Sequence, residues 1–166
     1  MTANSNSRRI ANLMIANGMS VLFVGLLAGV MLVFSLLGVV TLWPLPEWHV
    51  LVPGSTRGWQ AAHVGGILNG VMISGAALLA LHLQLEGRRM QWVGYGMILT
   101  GWANTVFYWA GLLAPNRGLS VAATPFGAGD LAGAIAFLGG GSGMAFTFIA
   151  AFILAKAGFE RAREAS

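Results

Sequence analysis

His63-Val64-Gly65-Gly66-Ile67-Leu68-Asn69 lies near the start of a run that carries no Asp, Glu, Lys or Arg from Gly58 to Leu85. That is long enough for the roughly 20 helical residues needed to cross bilayer hydrocarbon. A histidine and an asparagine are costly there, and polar groups at such depth face protein, a cavity or a ligand rather than acyl chains. The next charge-free run, Met90 to Asn116, repeats the pattern, with Asn104 and Tyr108 one helical turn apart. Outward from these two, Ile10–Pro46 and Leu131–Ala155 are also free of charge. The chain therefore reads as an all-α integral membrane protein with four transmembrane helices in a single membrane domain, residues 1–166. The expected spans are 19–43, 59–83, 92–113 and 131–155.

Composition agrees. Of 166 residues, 57% are hydrophobic and 8% are charged, where a soluble domain carries about a quarter charged. The net charge of +4 does not indicate nucleic acid, because the basic residues sit at expected helix ends and form no stripe interleaved with aromatics. Cysteine is absent, which excludes disulfides, thiolate metal sites, cysteine-held iron–sulfur clusters and covalent c-type haem.

Residues 1–9 read as a polar, mobile terminus, and Ile10–Gly18 as an extension or interfacial turn before the first span. Arg8 and Arg9 precede an apolar run too long for a cleaved leader. Trp43-Pro44-Leu45-Pro46-Glu47-Trp48 reads as the exit of the first span, since proline ends helices and tryptophan favours the headgroup level. Between the third and fourth spans, Ala114-Pro115-Asn116-Arg117-Gly118 and Thr124-Pro125-Phe126-Gly127 favour a structured, turn-rich connection. Arg8, Arg9, Arg88, Arg89, Lys156, Arg161 and Arg163 fall on one side of the membrane, and Arg57 and Arg117 on the other. This places both termini in the cytoplasm. The pairs Gly25/Gly29 and Gly66/Gly70, with Gly139-Gly140-Gly141-Ser142-Gly143, supply narrow faces for close helix approach or for a cofactor lying over a groove.

Among the intramembrane polar residues, His63 can ligate a metal or haem iron, hydrogen-bond a carbonyl, or titrate. His82 lies nineteen residues away, roughly 28 Å along a helix, so the two cannot clamp one haem from the same helix. Thr100, Asn104 and Tyr108 form a polar line on one helical face, suited to an oxygen-containing substrate or to a structural network. His63 and Asn69 are six residues apart, about 120° around an ideal helix, so a site shared between subunits would let adjacent copies contribute the two faces. Arg117 and Asp130 are candidates for an ion pair fastening the outer connection. Trp59, Trp102, Trp109, Phe107 and Phe126 are candidates for an aromatic pocket or for ordinary interface packing.

The ordered set Val52-Pro53-Gly54-Ser55, Gly58-Trp59, Ala62-His63, Leu68-Asn69-Gly70, Gly101-Trp102-Ala103-Asn104, Phe107-Tyr108, Asn116-Arg117-Gly118-Leu119 and Phe126-Gly127-x-Gly129-Asp130 resembles the styrene oxide isomerase family of small membrane enzymes. The resemblance implies a homotrimer of four-helix protomers in the bacterial inner membrane, with haem b at subunit interfaces. It makes His63 the axial ligand of ferric iron, Asn69 and Tyr108 the residues that hold the epoxide, and Asn104 a pocket-shaping neighbour. Trp59, Thr100, Trp102, Phe107, Arg117 and Asp130 are supporting candidates. Thr100 departs from a family member that carries an aspartate at that place and cannot supply its charge, which implies a different substrate range or pocket organisation. The implied reaction turns an aryl epoxide such as styrene oxide into an aldehyde such as phenylacetaldehyde, by Lewis-acid ring opening and a 1,2-hydride shift. Two rival readings are a b-type haem subunit passing electrons to a quinone or protein, and a non-enzymatic scaffold or small transporter.

Overall fold

The computed structural model describes residues 4–164. Four helices make up the fold: α1 Ser5–Leu37, α2 Thr56–His82, α3 Gly87–Gly111 and α4 Leu131–Glu164. α1 packs along α2 and α3 along α4; α2 and α3 each touch all the other helices and form the centre of the bundle, with α1 and α4 outside them. α4 is held almost entirely by α3, and most of its remaining surface is exposed and apolar.

Three of these helices, α1, α2 and α4, are long and apolar enough to cross a bilayer, making this a multi-pass membrane protein. α3 does not reach that apolarity, because Gln91, Thr100, Asn104, Thr105 and Tyr108 dilute it. α3 touches all three other helices, and its Thr100 is wholly buried. A helix so placed can carry polar groups at membrane depth.

The expected boundaries need correction at both ends of α1. Residues 5–9 are not mobile but helical; residues 1–3 lie outside the described residues. Asn4 caps the helix by accepting from the Ser7 N–H at 2.8 Å. Ser7 is itself buried and donates to the Leu85 carbonyl in the α2–α3 turn at 3.0 Å. One turn on, Ile10, Ala11 and Met14 join Leu85, Met90, Val93 and Met97 in a single core cluster. The polar residues hid this because only one face of the terminal turn is buried. At the other end the helix stops at Leu37, where Gly38 turns left-handed (φ 71°) and its N–H bonds the Phe34 carbonyl at 2.9 Å. Pro44 plays no part in ending it. Residues 38–55 form an outer connection in which Val40 and Trp48 exchange both backbone hydrogen bonds at 2.9 Å.

Without water to drive association inside a membrane, helices hold by close packing. Gly25 and Gly66 bring α1 and α2 together: a Cβ on Gly25 would come within 2.8 Å of the Gly66 carbonyl carbon. Gly18 and Gly70 repeat the contact two turns toward the α1 amino terminus.

The connection after α3 is organised by Asn116, which is fully buried. Its amide donates to the Ser120 and Ala122 carbonyls at 2.8 and 2.9 Å, and its oxygen accepts from the Gly118 N–H at 3.0 Å. At the opposite end of the bundle, Arg89 on α3 makes an ion pair with Glu160 on α4, at 2.7 Å. The hydrogen bond from Arg89 holds the Glu160 carboxyl below its ordinary range and the guanidinium above its own. Both groups are solvent-exposed and salt screens the pair, so it orients the end of α4 more than it stabilises the fold.

Candidate active site

Two faces of α2 carry candidate residues. One meets α1: the His63 ring lies against Gly29, and its Nδ1 is 2.9 Å from the Gly25 carbonyl oxygen. A carbonyl only accepts, so Nδ1 carries a proton, and in the neutral ring Nε2 is the nitrogen with the lone pair. This is the arrangement of a histidine whose far nitrogen is presented to a metal. Among the described residues no three His, Asp or Glu side chains group as a metal site. An iron porphyrin brings four nitrogen donors of its own, so a single axial imidazole is a sufficient protein ligand. The donor set fits haem on those grounds. His82 closes the far end of α2 and His49 lies in the exposed outer connection.

The other face of α2 meets α3. Asn69, 6% exposed, donates one amide hydrogen to the Gly65 carbonyl at 2.7 Å, and its oxygen accepts from the Asn104 amide at 2.9 Å. One Asn69 N–H remains uncommitted. The Tyr108 ring packs directly on Gly65, where a Cβ would overlap Cε2 and Cζ. Its hydroxyl makes no hydrogen bond among the described residues, and its edge meets Phe107 at 5.2 Å between centroids. Asn69 and Tyr108 thus both touch Gly65, the one through its carbonyl and the other over its Cα, while Asn104 joins them through Asn69.

The polar line on α3 divides by depth. Thr100 donates to the Gly143 carbonyl of α4 at 3.0 Å and receives Thr147 at 3.2 Å, so it ties α3 to α4. Asn104 faces Asn69, with Gly143 leaving room beside its oxygen. Tyr108 reaches a cleft of about 120 Å³ shared with Phe107, Arg57, Ser55, Leu112 and Arg117. Small-molecule pockets run to roughly 300–1,000 Å³, so this cleft holds only part of a ligand unless another surface closes over it.

The supporting candidates fall mostly into structural places. Trp59 is buried, donates through Nε1 to the Pro53 carbonyl at 2.9 Å and stands edge-on to Trp109. Trp102 faces outward and donates to Asn17 of α1 at 2.9 Å. Arg117 and Asp130 do not pair: the guanidinium lies 4.0 Å over the Phe126 ring, while Asp130 accepts from the Gly133 N–H at 2.7 Å and caps α4. An aspartate that satisfies a helix start has a strong local competitor for any distant arginine. Sequence reasoning missed Gly65 as the floor under Tyr108, and it read Gly25 and Gly29 as a face for helix packing or a cofactor without linking either to His63. A glycine one turn before Asn69 was the available signal.

The family model described as Styrene oxide isomerase matches residues 10–159 of this chain. A curated relative from Pseudomonas fluorescens, described as "Styrene-oxide isomerase", is 38% identical over 120 residues, covering 71% of this chain and 70% of its own length.

Proposed function

The chain belongs to the styrene oxide isomerase family, and from that premise we propose that it isomerises aryl epoxides such as styrene oxide to aldehydes such as phenylacetaldehyde, with haem b held by His63. We further place it as a four-span protein of the bacterial inner membrane with both termini cytoplasmic. The carrying observation is the pair of unspent donors at Gly65, the second N–H of Asn69 and the hydroxyl of Tyr108. An epoxide oxygen can only accept hydrogen bonds, so this pair complements it.

When bound, ferric haem supplies a Lewis acid. The protein's own residues do the rest. His63 offers a bare Nε2. Asn104 holds the Asn69 carboxamide so that its oxygen is occupied and a hydrogen is left for the substrate. Tyr108 donates a second hydrogen bond, stronger as negative charge builds on the oxygen. The apolar surroundings, with Ala62, Leu112 and Trp59 packed beside Tyr108, exclude the water that would trap a developing cation as a diol. The hydride moves within the substrate, so no oxidant or reductant is consumed.

His63 contacts α1 while Asn69 and Tyr108 serve the α2–α3 face. Their separation around α2, and the small cleft of one chain, support a site completed between copies, as in a homotrimer.

The test is a visible spectrum of detergent-purified protein before and after styrene oxide, with product analysis of the same sample. The expected result is a ferric haem band perturbed by the epoxide, with aldehyde formed in step. Aldehyde made by protein free of iron porphyrin would reject the proposal, and a haem reduced by quinol yet inert to epoxide would favour electron transfer. Tyr108→Phe should lower kcat about 10- to 100-fold, less than loss of a full oxyanion donor set, with haem content unchanged. Equal turnover on matched amounts of folded protein would remove Tyr108 from its role.

A further inference from the structure

Gly29 sits in the middle of α1, where glycine weakens a helix, and no helix–helix approach accounts for it. A Cβ built there would lie 2.5 Å from Nδ1, 2.6 Å from Cε1 and 3.2 Å from Cγ of His63, and these are its three nearest atoms. Gly25 and Gly66 differ: their close neighbours are each other's backbone and the residues beside them. Gly29 therefore serves the imidazole, not the neighbouring helix.

The same turn supplies the acceptor. In an α-helix the carbonyl of residue 25 points toward the amide of residue 29. A side chain at 29 would stand between the His63 ring and that oxygen, which now lies 2.9 Å from Nδ1. From this geometry we infer that Gly29 is a positioning residue: by leaving the Gly25 carbonyl accessible, it fixes His63 as the Nδ1–H tautomer and fixes the direction of Nε2. The inference rests on the assignment of His63 as iron ligand and adds to it a second role for the carbonyl. A hydrogen bond accepted from Nδ1–H makes the imidazole a more basic ligand, so the helix backbone sets how much electron density the iron receives.

Gly29→Ala is compared with Gly18→Ala, which disturbs the α1–α2 contact at Gly70 and Ser74 and meets neither His63 nor Gly25, and with His63→Ala. Each is purified in detergent with haem supplied during expression. Haem per folded protein is measured, with the ferrous iron–histidine stretch by resonance Raman. Gly29→Ala should lower haem affinity about 10- to 100-fold, the usual effect of losing a ligand's outer partner, and any haem retained should show a lower stretch frequency. Gly18→Ala, where it assembles, should keep the unmodified frequency. Unchanged haem content and frequency in Gly29→Ala, with haem lost from His63→Ala, would overturn the role of Gly29 and leave the ligand standing. Haem retained normally in His63→Ala would overturn both. Should Gly29→Ala fail to assemble, the unmodified protein decides: its stretch should fall in the range of imidazoles that donate to a carbonyl, and a frequency typical of an unbonded imidazole would refute the inference.

Discussion

His63→Ala protein is expected to insert and assemble, yet to emerge almost free of haem and without epoxide turnover. Removing the ligand should exceed the about 10- to 100-fold loss of affinity that follows from removing an outer partner. The fold should tolerate it, since His63 is only partly buried and its one hydrogen bond goes to a carbonyl already within the α1 helix. The measurements are haem absorbance per helical protein and aldehyde formation on matched samples. Normal haem content and turnover would withdraw His63 from the iron. Added imidazole gives a further check, because a vacated ligand position should accept it and regain part of the absorbance.

The second large effect belongs to Asn69. Asn69→Leu keeps the branched shape, with bulkier methyl groups, and removes the donor; it should depress kcat about 10²- to 10³-fold, as loss of a donor to developing negative charge does elsewhere. It also strands the Asn104 amide, so some loss of thermal stability is expected. Asn104→Asp separates the two effects. A carboxylate cannot donate to the Asn69 oxygen, so the Asn69 amide should turn over and spend its hydrogens on residue 104. Activity should then fall although Asn69 is intact. Unimpaired turnover in Asn104→Asp would mean that the Asn104–Asn69 bond at 2.9 Å ties the helices together and does not orient the donor.

Much of this molecule was legible before its fold was known. Charge-free runs marked the helices, and intramembrane polarity singled out His63, Asn69, Asn104 and Tyr108. The angular separation of His63 and Asn69 matched their contacts with α1 and α3. What escaped was whatever depends on the register between helices. That Asn104 would meet Asn69, that Thr100 would meet Gly143, and that Gly65 would lie under Tyr108 are facts of relative helix sliding, which no single helix's pattern encodes. Ends misled for a local reason. Gly38 stopped α1 before Pro44 could, and one buried face, Ser7 and Ile10, carried the helix back through residues that look solvated. Arg117 and Asp130 had suitable charges but nearer partners.

The burial of the amino-terminal turn of α1 has a consequence for biogenesis. Ser7 bonds Leu85, and Ile10 fills the space beside Gly94. Those partners are synthesised some eighty residues later. α1 leaves the ribosome before them and waits, its start unsatisfied, until the α2–α3 turn and α3 arrive. α1 is laid down early in the chain's emergence, whereas this end of the bundle closes late.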